Sequence, residues 1–223
     1  MTDKKKSKKY FILGAAIFFL FVLFTALVKT VDVKAVGPLG SEIGFSGINT
    51  YFRDLIGTNM TVYEVTELLG YLAVALAGSF GLFGMYQFIK GKSLKAVDSD
   101  IIVLGGFFVV VVCAYVFFEV VVINYRPIIM EGELEASFPS SHTLLSASVF
   151  GAAIHQLWHR IKNKTFRIAS ACACSLILAV TVIGRFVSGV HWFTDIVAGL
   201  LLSASLVLIY VGFCNLTGIK KER

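Results

Sequence analysis

The chain is 223 residues long, 57% hydrophobic and 15% charged, with 20 phenylalanines and a mean hydropathy of +0.82. Soluble domains carry about 25% charged residues, so this composition excludes a disordered chain, a nucleic-acid-binding domain and a disulfide-stapled secreted domain, and points to an integral membrane protein. The net charge of +6 does not signal a nucleic-acid partner, because Lys and Arg fall in short clusters between apolar runs, which is the topology pattern of membrane proteins.

Taken in chain order, a lysine-rich tail (residues 1–9) precedes a first uncharged run from Tyr10 to Val28. The run is too long for a signal peptide and no small-x-small cleavage pattern follows it closely, so it reads as an uncleaved span. Residues 30–67 form a segment between spans, in which Phe45, Ile48, Phe52 and Ile56 fall on one helical face. An interfacial helix on the membrane surface and a lid or access element both fit that pattern. Asn59-Met60-Thr61 matches a glycosylation sequon and is read as chance. The second span covers Leu68 to Ile89, where Gly78, Gly81 and Gly84 predict close helix packing. The third runs from Ile101 to Phe118 and is expected to continue past Glu119 to Ile123. A fourth runs from about Ser141 to Trp158, a fifth from Ile168 to Gly184 and a sixth from Ile196 to about Thr217. Each approaches the roughly 20 residues needed to cross the hydrocarbon core as a helix. The four cysteines, Cys113, Cys172, Cys174 and Cys214, lie within apolar stretches and read as buried free thiols.

The expected fold is therefore all-α: a single membrane domain over 1–223 with six transmembrane helices and an extracytoplasmic interfacial helix between spans one and two. Fifteen of the 20 Lys and Arg residues lie on one side of this layout. The positive-inside rule puts that side, and both termini, in the cytoplasm.

Polar groups then concentrate at the extracytoplasmic ends of spans, where ionisable residues are functional candidates. Asn124-Tyr125-Arg126-Pro127 closes span three. Phe138-Pro139-Ser140-Ser141-His142-Thr143 opens span four, with Pro and Ser as helix-start signals and a helix N-terminus as an anion site. Arg185 to Asp195 leads into span six, and His191 and Asp195, at i and i+4, are expected to share a helical face. His155 and His159, near the cytoplasmic end of span four, read as interfacial. Two arginines, a hydroxyl-bearing helix N-terminus and two histidines, one backed by a carboxylate, suit phosphate-ester chemistry: arginines grip phosphate oxygens, one histidine attacks and the other protonates the leaving oxygen.

These residues resemble the type 2 phosphatidic acid phosphatase family of integral membrane lipid phosphatases. That family carries K-x6-R-P, then P-S-G-H, then S-R-x5-H-x3-D. Arg126-Pro127 matches the end of the first motif. Pro139-Ser140-Ser141-His142 matches the second with Ser for Gly. Arg185, His191 and Asp195 match the third, with Gly184 for its leading Ser. The resemblance implies that His191 attacks phosphorus to give a phosphohistidine, that Asp195 orients it, and that His142 protonates the leaving group. It implies that Arg126, Arg185, Ser140 and Ser141 hold the phosphate, and that neither metal nor cofactor is required. The partner implied is a lipid phosphate in the outer leaflet, with undecaprenyl pyrophosphate, phosphatidylglycerophosphate and phosphatidic acid as the leading candidates. No nucleic-acid partner is expected.

One position departs from the family. Glu119 stands where the first motif begins with Lys. A helix continued to Arg126 would set Glu119 beneath it on one face, where it would pair with Arg126 or Arg185, stay protonated through a raised pKa, or shift the substrate or pH preference of the site. Glu119 also keeps open a non-catalytic lipid-phosphate binding or transport protein on the same fold, and transfer to an acceptor other than water fits the residues as well as hydrolysis does. Glu131, Glu133 and Glu135 read as a solvated loop.

Overall fold

The computed structural model describes residues 3–217; the basic cluster Lys220, Lys221 and Arg223 lies outside them. The described residues form seven α-helices: α1 (Asp3–Thr30), α2 (Ser46–Ile56), α3 (Met60–Gly91), α4 (Ser99–Val120), α5 (Ser141–Arg160), α6 (Lys164–Val187) and α7 (Phe193–Thr217). The all-α expectation holds. Among the described residues five helices, α1, α3, α4, α6 and α7, are long and apolar enough to cross a membrane.

α5 differs from the expected run of six for a physical reason. It has the length, 20 residues, but its sequence holds Ser141, His142, Ser146, Ser148, Gln156 and Arg160. These are tolerated because α5 packs against α3, α4, α6 and α7, and Ser146, Ser148 and Gln156 are buried in the protein. Lipophilicity is demanded of a surface that meets lipid, and α5 has little of it.

The apolar runs are extended at their ends by polar residues. Lys4 to Lys9 continue α1, so the tail is helical and not separate from the span. Residues 60–67 are the first two turns of α3 and not a part of the preceding loop. Asn59 caps that helix, its side chain accepting from Val62 N at 3.1 Å, which gives the sequon asparagine a structural role. α4 stops at Val120, short of the expected Ile123.

Two apolar clusters fill the bundle. The larger joins Phe80, Leu104, Phe107, Phe150 and Tyr210 across α3, α4, α5 and α7. The second joins Phe21, Phe138, Leu144 and Leu202, where Phe138 stacks on Phe21 (6.5 Å) and meets Phe118 edge-on (6.3 Å). Phe138 thus anchors the segment leading into α5. Gly84 packs closely on Ile101, as a helix-packing glycine should, whereas a Cβ added at Gly78 or Gly81 would meet nothing within 4 Å; their expected packing role is not found. All four cysteines are free, but Cys113 and Cys172 are exposed on the helix surfaces and only Cys174 and Cys214 are buried.

α2 is amphipathic as expected, but the predicted face is divided. Phe52 packs on Phe193 (4.8 Å) and Phe186 (5.3 Å), and Phe45 on Phe24. Ile48, Tyr51 and Leu55 are exposed and form the outward side. Buried Asn49 fastens the helix to α7: its Nδ2 donates to Thr194 Oγ1 at 3.0 Å and its Oδ1 accepts from Thr194 N at 3.2 Å.

At the opposite end of α5, Arg160 donates to Asp98 (3.0 Å) and to buried Asp100 (2.7 Å), and its Nε donates to Gln156 (2.8 Å). Gln156 in turn donates to Tyr210 Oη at 2.7 Å. This network clamps α4, α5 and α7.

Candidate functional site

The site lies where the N-termini of α5 and α7, the C-terminus of α6 and the first turns of α3 meet. The segment between α4 and α5 folds back on itself: Arg126 N donates to Glu135 O (3.0 Å) and Ser137 N to Asn124 O (3.0 Å). Trp192 Nε1 donates to Tyr125 O at 2.6 Å, so the hairpin is pinned to the start of α7. Arg126 is held at the base of this hairpin, and its Nε lies 2.8 Å from Glu135 Oε2. Glu135 is therefore a partner of the site and not merely part of a solvated loop.

The arginine's expected relation to Glu119 is not found. α4 ends at Val120 and the chain turns away, so the two residues are not on one helix. Glu119 forms no ion pair with Arg126 or Arg185 among the described residues. It lines a narrow cleft of about 10 Å³ with Ser137, Pro139 and His191.

α5 begins at Ser141 with Ser140 at its N-cap, as the Pro-Ser signal predicts. Ser140 N donates to Asp195 O at 3.0 Å, tying the two helix starts together. The free N–H groups of a first turn and the positive end of the helix dipole then face the same region as the arginines.

His191 precedes α7, which starts at Phe193, so His191 and Asp195 do not share a helical face. They are still neighbours: His191 Nδ1 lies 3.8 Å from Asp195 Oδ2, beyond hydrogen-bond length. That carboxylate accepts instead from Trp192 N at 2.9 Å, the reach-back bond of a capping box. Its Oδ1 lies 3.4 Å from Asn124 Nδ2. Asp195 is thus both a helix cap and a carboxyl group beside His191.

His191 is buried, and burial, reinforced by the charges of Arg126 and Arg185, holds its imidazole well below the usual range. Protonating the folded state therefore costs more than protonating the unfolded chain, whose histidines titrate near about 6.5. Stability conferred by a neutral His191 is present above that value and is lost as pH falls below it. Nitrogen NMR of labelled protein is expected to show a neutral His191 ring at pH 6, where an ordinary histidine is largely charged.

Arg185 is fully buried, ion-pairs with Glu67 of α3 and lies over the Tyr63 ring at 4.7 Å. His142 Nε2 is 3.2 Å from the same Glu67 oxygen. Glu67 is the site residue that sequence reasoning missed. Its signal is an ionisable residue at the end of an apolar run, but no motif spacing marks it.

The remaining donors converge. Arg126 Nη1, Arg185 Nε and Nη1, and Ser140 Oγ are buried with no hydrogen-bond partner among the described residues. Buried polar groups are ordinarily satisfied, so four such atoms in one place mark a site built for an anion. Beside it, an apolar cavity of about 410 Å³ runs between α3, α4 and α5, lined by Tyr71, Val74, Val111, Tyr115 and Leu145, with Glu67 and His142 at its polar end.

Comparison with known proteins agrees with this picture. Residues 120–216 match the model of the PAP2 superfamily. The fold resembles the crystal structure of a transmembrane PAP2-type phosphatidylglycerolphosphate phosphatase from Bacillus subtilis, at 20% identity and a TM-score of 0.56, over 89% of this chain and 93% of that one. No curated protein matches the sequence. The apolar helices and this fold make the chain a multi-pass membrane protein.

Proposed function

We propose, from the match of residues 120–216 to the PAP2 superfamily, that the chain is a lipid phosphatase. It hydrolyses a phosphate or diphosphate monoester presented by an acyl or prenyl lipid. The observation that carries this reading is the convergence of unpartnered arginine and serine donors on a buried histidine with the Asp195 carboxyl beside it.

In this reading Arg126, Arg185, Ser140 and the α5 N-terminus around Ser141 hold the phosphate. His191 attacks phosphorus; the N–P bond forms as the P–O bond to the lipid breaks. The electron pair passes to the leaving oxygen, which takes a proton from His142. In the second half-reaction His142 accepts a proton from water, the resulting hydroxide attacks phosphorus, and His191 leaves. Asp195 stabilises the imidazolium-like charge on His191. The step as written uses side chains alone and calls on no metal or cofactor.

The 410 Å³ apolar cavity beside His142 supports a substrate with a hydrocarbon tail. α5 is taken as the sixth span, which places both termini in the cytoplasm and the site on the extracytoplasmic face, consistent with the charge distribution. Undecaprenyl pyrophosphate, phosphatidylglycerophosphate and phosphatidic acid are the substrates to compare.

The test is phosphate release by the purified protein in detergent, with and without EDTA, on these three lipids and a soluble ester. Release from at least one lipid, unaffected by EDTA, is expected. Well-folded protein that binds these lipids but releases no phosphate would instead establish the binding protein that Glu119 at the family's Lys position suggests.

A packing variant probes the same reading. A Cβ at Gly70 would lie 2.6 Å from His142 Cδ2 and 2.9 Å from its Nε2. Gly70→Ala is expected to displace the His142 ring and lower kcat by about 100-fold, with little change in thermal stability by scanning fluorimetry.

A further inference from the structure

We propose that Glu67 is the positioning residue for proton delivery: it fixes the His142 ring, supplies the counter-charge that lets His142 act as the acid, and couples it to Arg185. This rests on the phosphatase reading above.

The geometry comes from three adjacent features of α3. Glu67 Oε1 lies 3.2 Å from His142 Nε2 and pairs with Arg185 through the same oxygen. One turn earlier, Tyr63 lies beneath the Arg185 guanidinium. Three residues later, Gly70 leaves the space that the His142 ring fills. The face of α3 thus offers a slot for the imidazole and a charge at its end.

The approach of α3 depends on Gly184, the position where the family pattern has Ser. A Cβ there would lie 2.5 Å from Thr66 Cγ2. The α3–α6 contact is therefore tight at Thr66 and Gly184, and it sets the next residues of each helix, Glu67 and Arg185, against each other. The substitution in the third motif and the unanticipated carboxylate belong to one arrangement.

Electrostatics gives the arrangement its purpose. Arg185 and His142 meet at one oxygen of Glu67, so the ring sits close to a guanidinium that disfavours a second positive charge, while the Glu67 carboxylate at 3.2 Å acts in the opposite sense. From α4, Tyr115 lines both the apolar cavity and the adjoining cleft in which Glu119 lies beside His191. Guanidinium groups that grip phosphate would strip the proton from a nearby histidine unless an anion opposes them. A general acid has to keep that proton until the leaving oxygen takes it. Each histidine therefore has its own carboxylate: Asp195 for His191, Glu67 for His142. The proton moves only between His142 and the leaving oxygen; Glu67 stays ionised on Arg185 throughout.

The test compares wild type, Glu67→Gln and Glu67→Asp on two soluble or micellar esters. One is p-nitrophenyl phosphate, whose phenolate leaves with little need of a proton. The other is a long-chain alkyl phosphate, whose alkoxide needs one. Glu67→Gln is expected to lower kcat on the alkyl ester by about 100-fold and on the nitrophenyl ester by less than about tenfold. It should also move the alkaline limb of the alkyl-ester profile to lower pH. Glu67→Asp, which keeps the charge, should restore part of the loss. Equal losses on both esters with an unmoved pH profile would overturn the proposal and leave Glu67 a packing residue. If Glu67→Gln does not assemble, the same leaving-group comparison on Glu67→Asp decides. Wild-type protein inactive on both esters would fail the phosphatase reading itself, and this inference with it.

Discussion

Replacing His191 with alanine is expected to abolish phosphate release, by about 10⁴-fold or more in kcat, while the protein stays folded and continues to bind the lipid. The size follows from its role. The other groups of the site lower a barrier, but His191 supplies the atom that bonds to phosphorus, and no neighbour can take its place. His142 is held against α3 by Glu67, facing a different wall of the site. Stability should change little, because His191 makes no close hydrogen bond to Asp195, at 3.8 Å, and the carboxylate keeps its bond to Trp192 N at 2.9 Å. Rapid acid-free quenching of the wild type with a ³²P-labelled substrate should trap label on the protein in an acid-labile, base-stable form. The His191→Ala protein should carry none. Label retained by the variant would assign the nucleophile elsewhere.

The second large effect is expected far from the chemistry. Arg160→Ala removes the cation that Asp100 pairs with at 2.7 Å and Asp98 at 3.0 Å. The Asp100 side chain is only 1% exposed, so its charge would remain buried without its ion partner. Breaking a buried pair from one side costs about 3–5 kcal/mol. That corresponds to a fall of roughly 10 °C in Tm for a chain of this size, measured by scanning fluorimetry in one detergent. Gln156 would lose the Nε donor at 2.8 Å as well. The fraction that remains folded should keep its wild-type turnover, because the network lies at the opposite end of α5 from His142. Loss of stability and loss of turnover are thus predicted for different ends of one helix.

The apolar runs of α1, α3, α4, α6 and α7 were legible because lipid contact imposes a composition. So were Ser140 as the start of α5 and the gathering of Arg126, His142, Arg185 and His191, since motif spacing and helix-end placement bring them to one region. The expected pairing of Glu119 with an arginine failed for a local reason. No breaker precedes Pro127 in the sequence, so the α4 run reads onward. The chain nevertheless leaves the helix at Val120, and Asn124 and Arg126 spend their backbone groups on the hairpin with Ser137 and Glu135. That competition depends on residues about ten positions away and leaves no periodic trace. Glu67 was hidden differently. Its partners lie on α5 and α6, and single-sequence reading has no means to see that Gly70 and Gly184 let those helices close on it.

The polar composition of α5 has a consequence for how the protein is made. On the reading that this helix crosses the bilayer, Ser146, Ser148 and Gln156 within it and His142 and Arg160 at its ends make it a poor candidate to enter lipid on its own, since polar groups left facing hydrocarbon are costly. The flanking helices have no such difficulty. α5 must then be retained at the translocon until α6 and α7 have emerged, and be released into the membrane together with them. Its buried serines and Gln156 would meet helix surfaces and never acyl chains. In a nascent chain ending after α5, a cysteine introduced into that helix should accordingly stay reactive to polar thiol reagents, whereas in one ending after α7 it should be shielded. The helix that carries the acid of the site would be the last to find its place, and the site would close only when the bundle does.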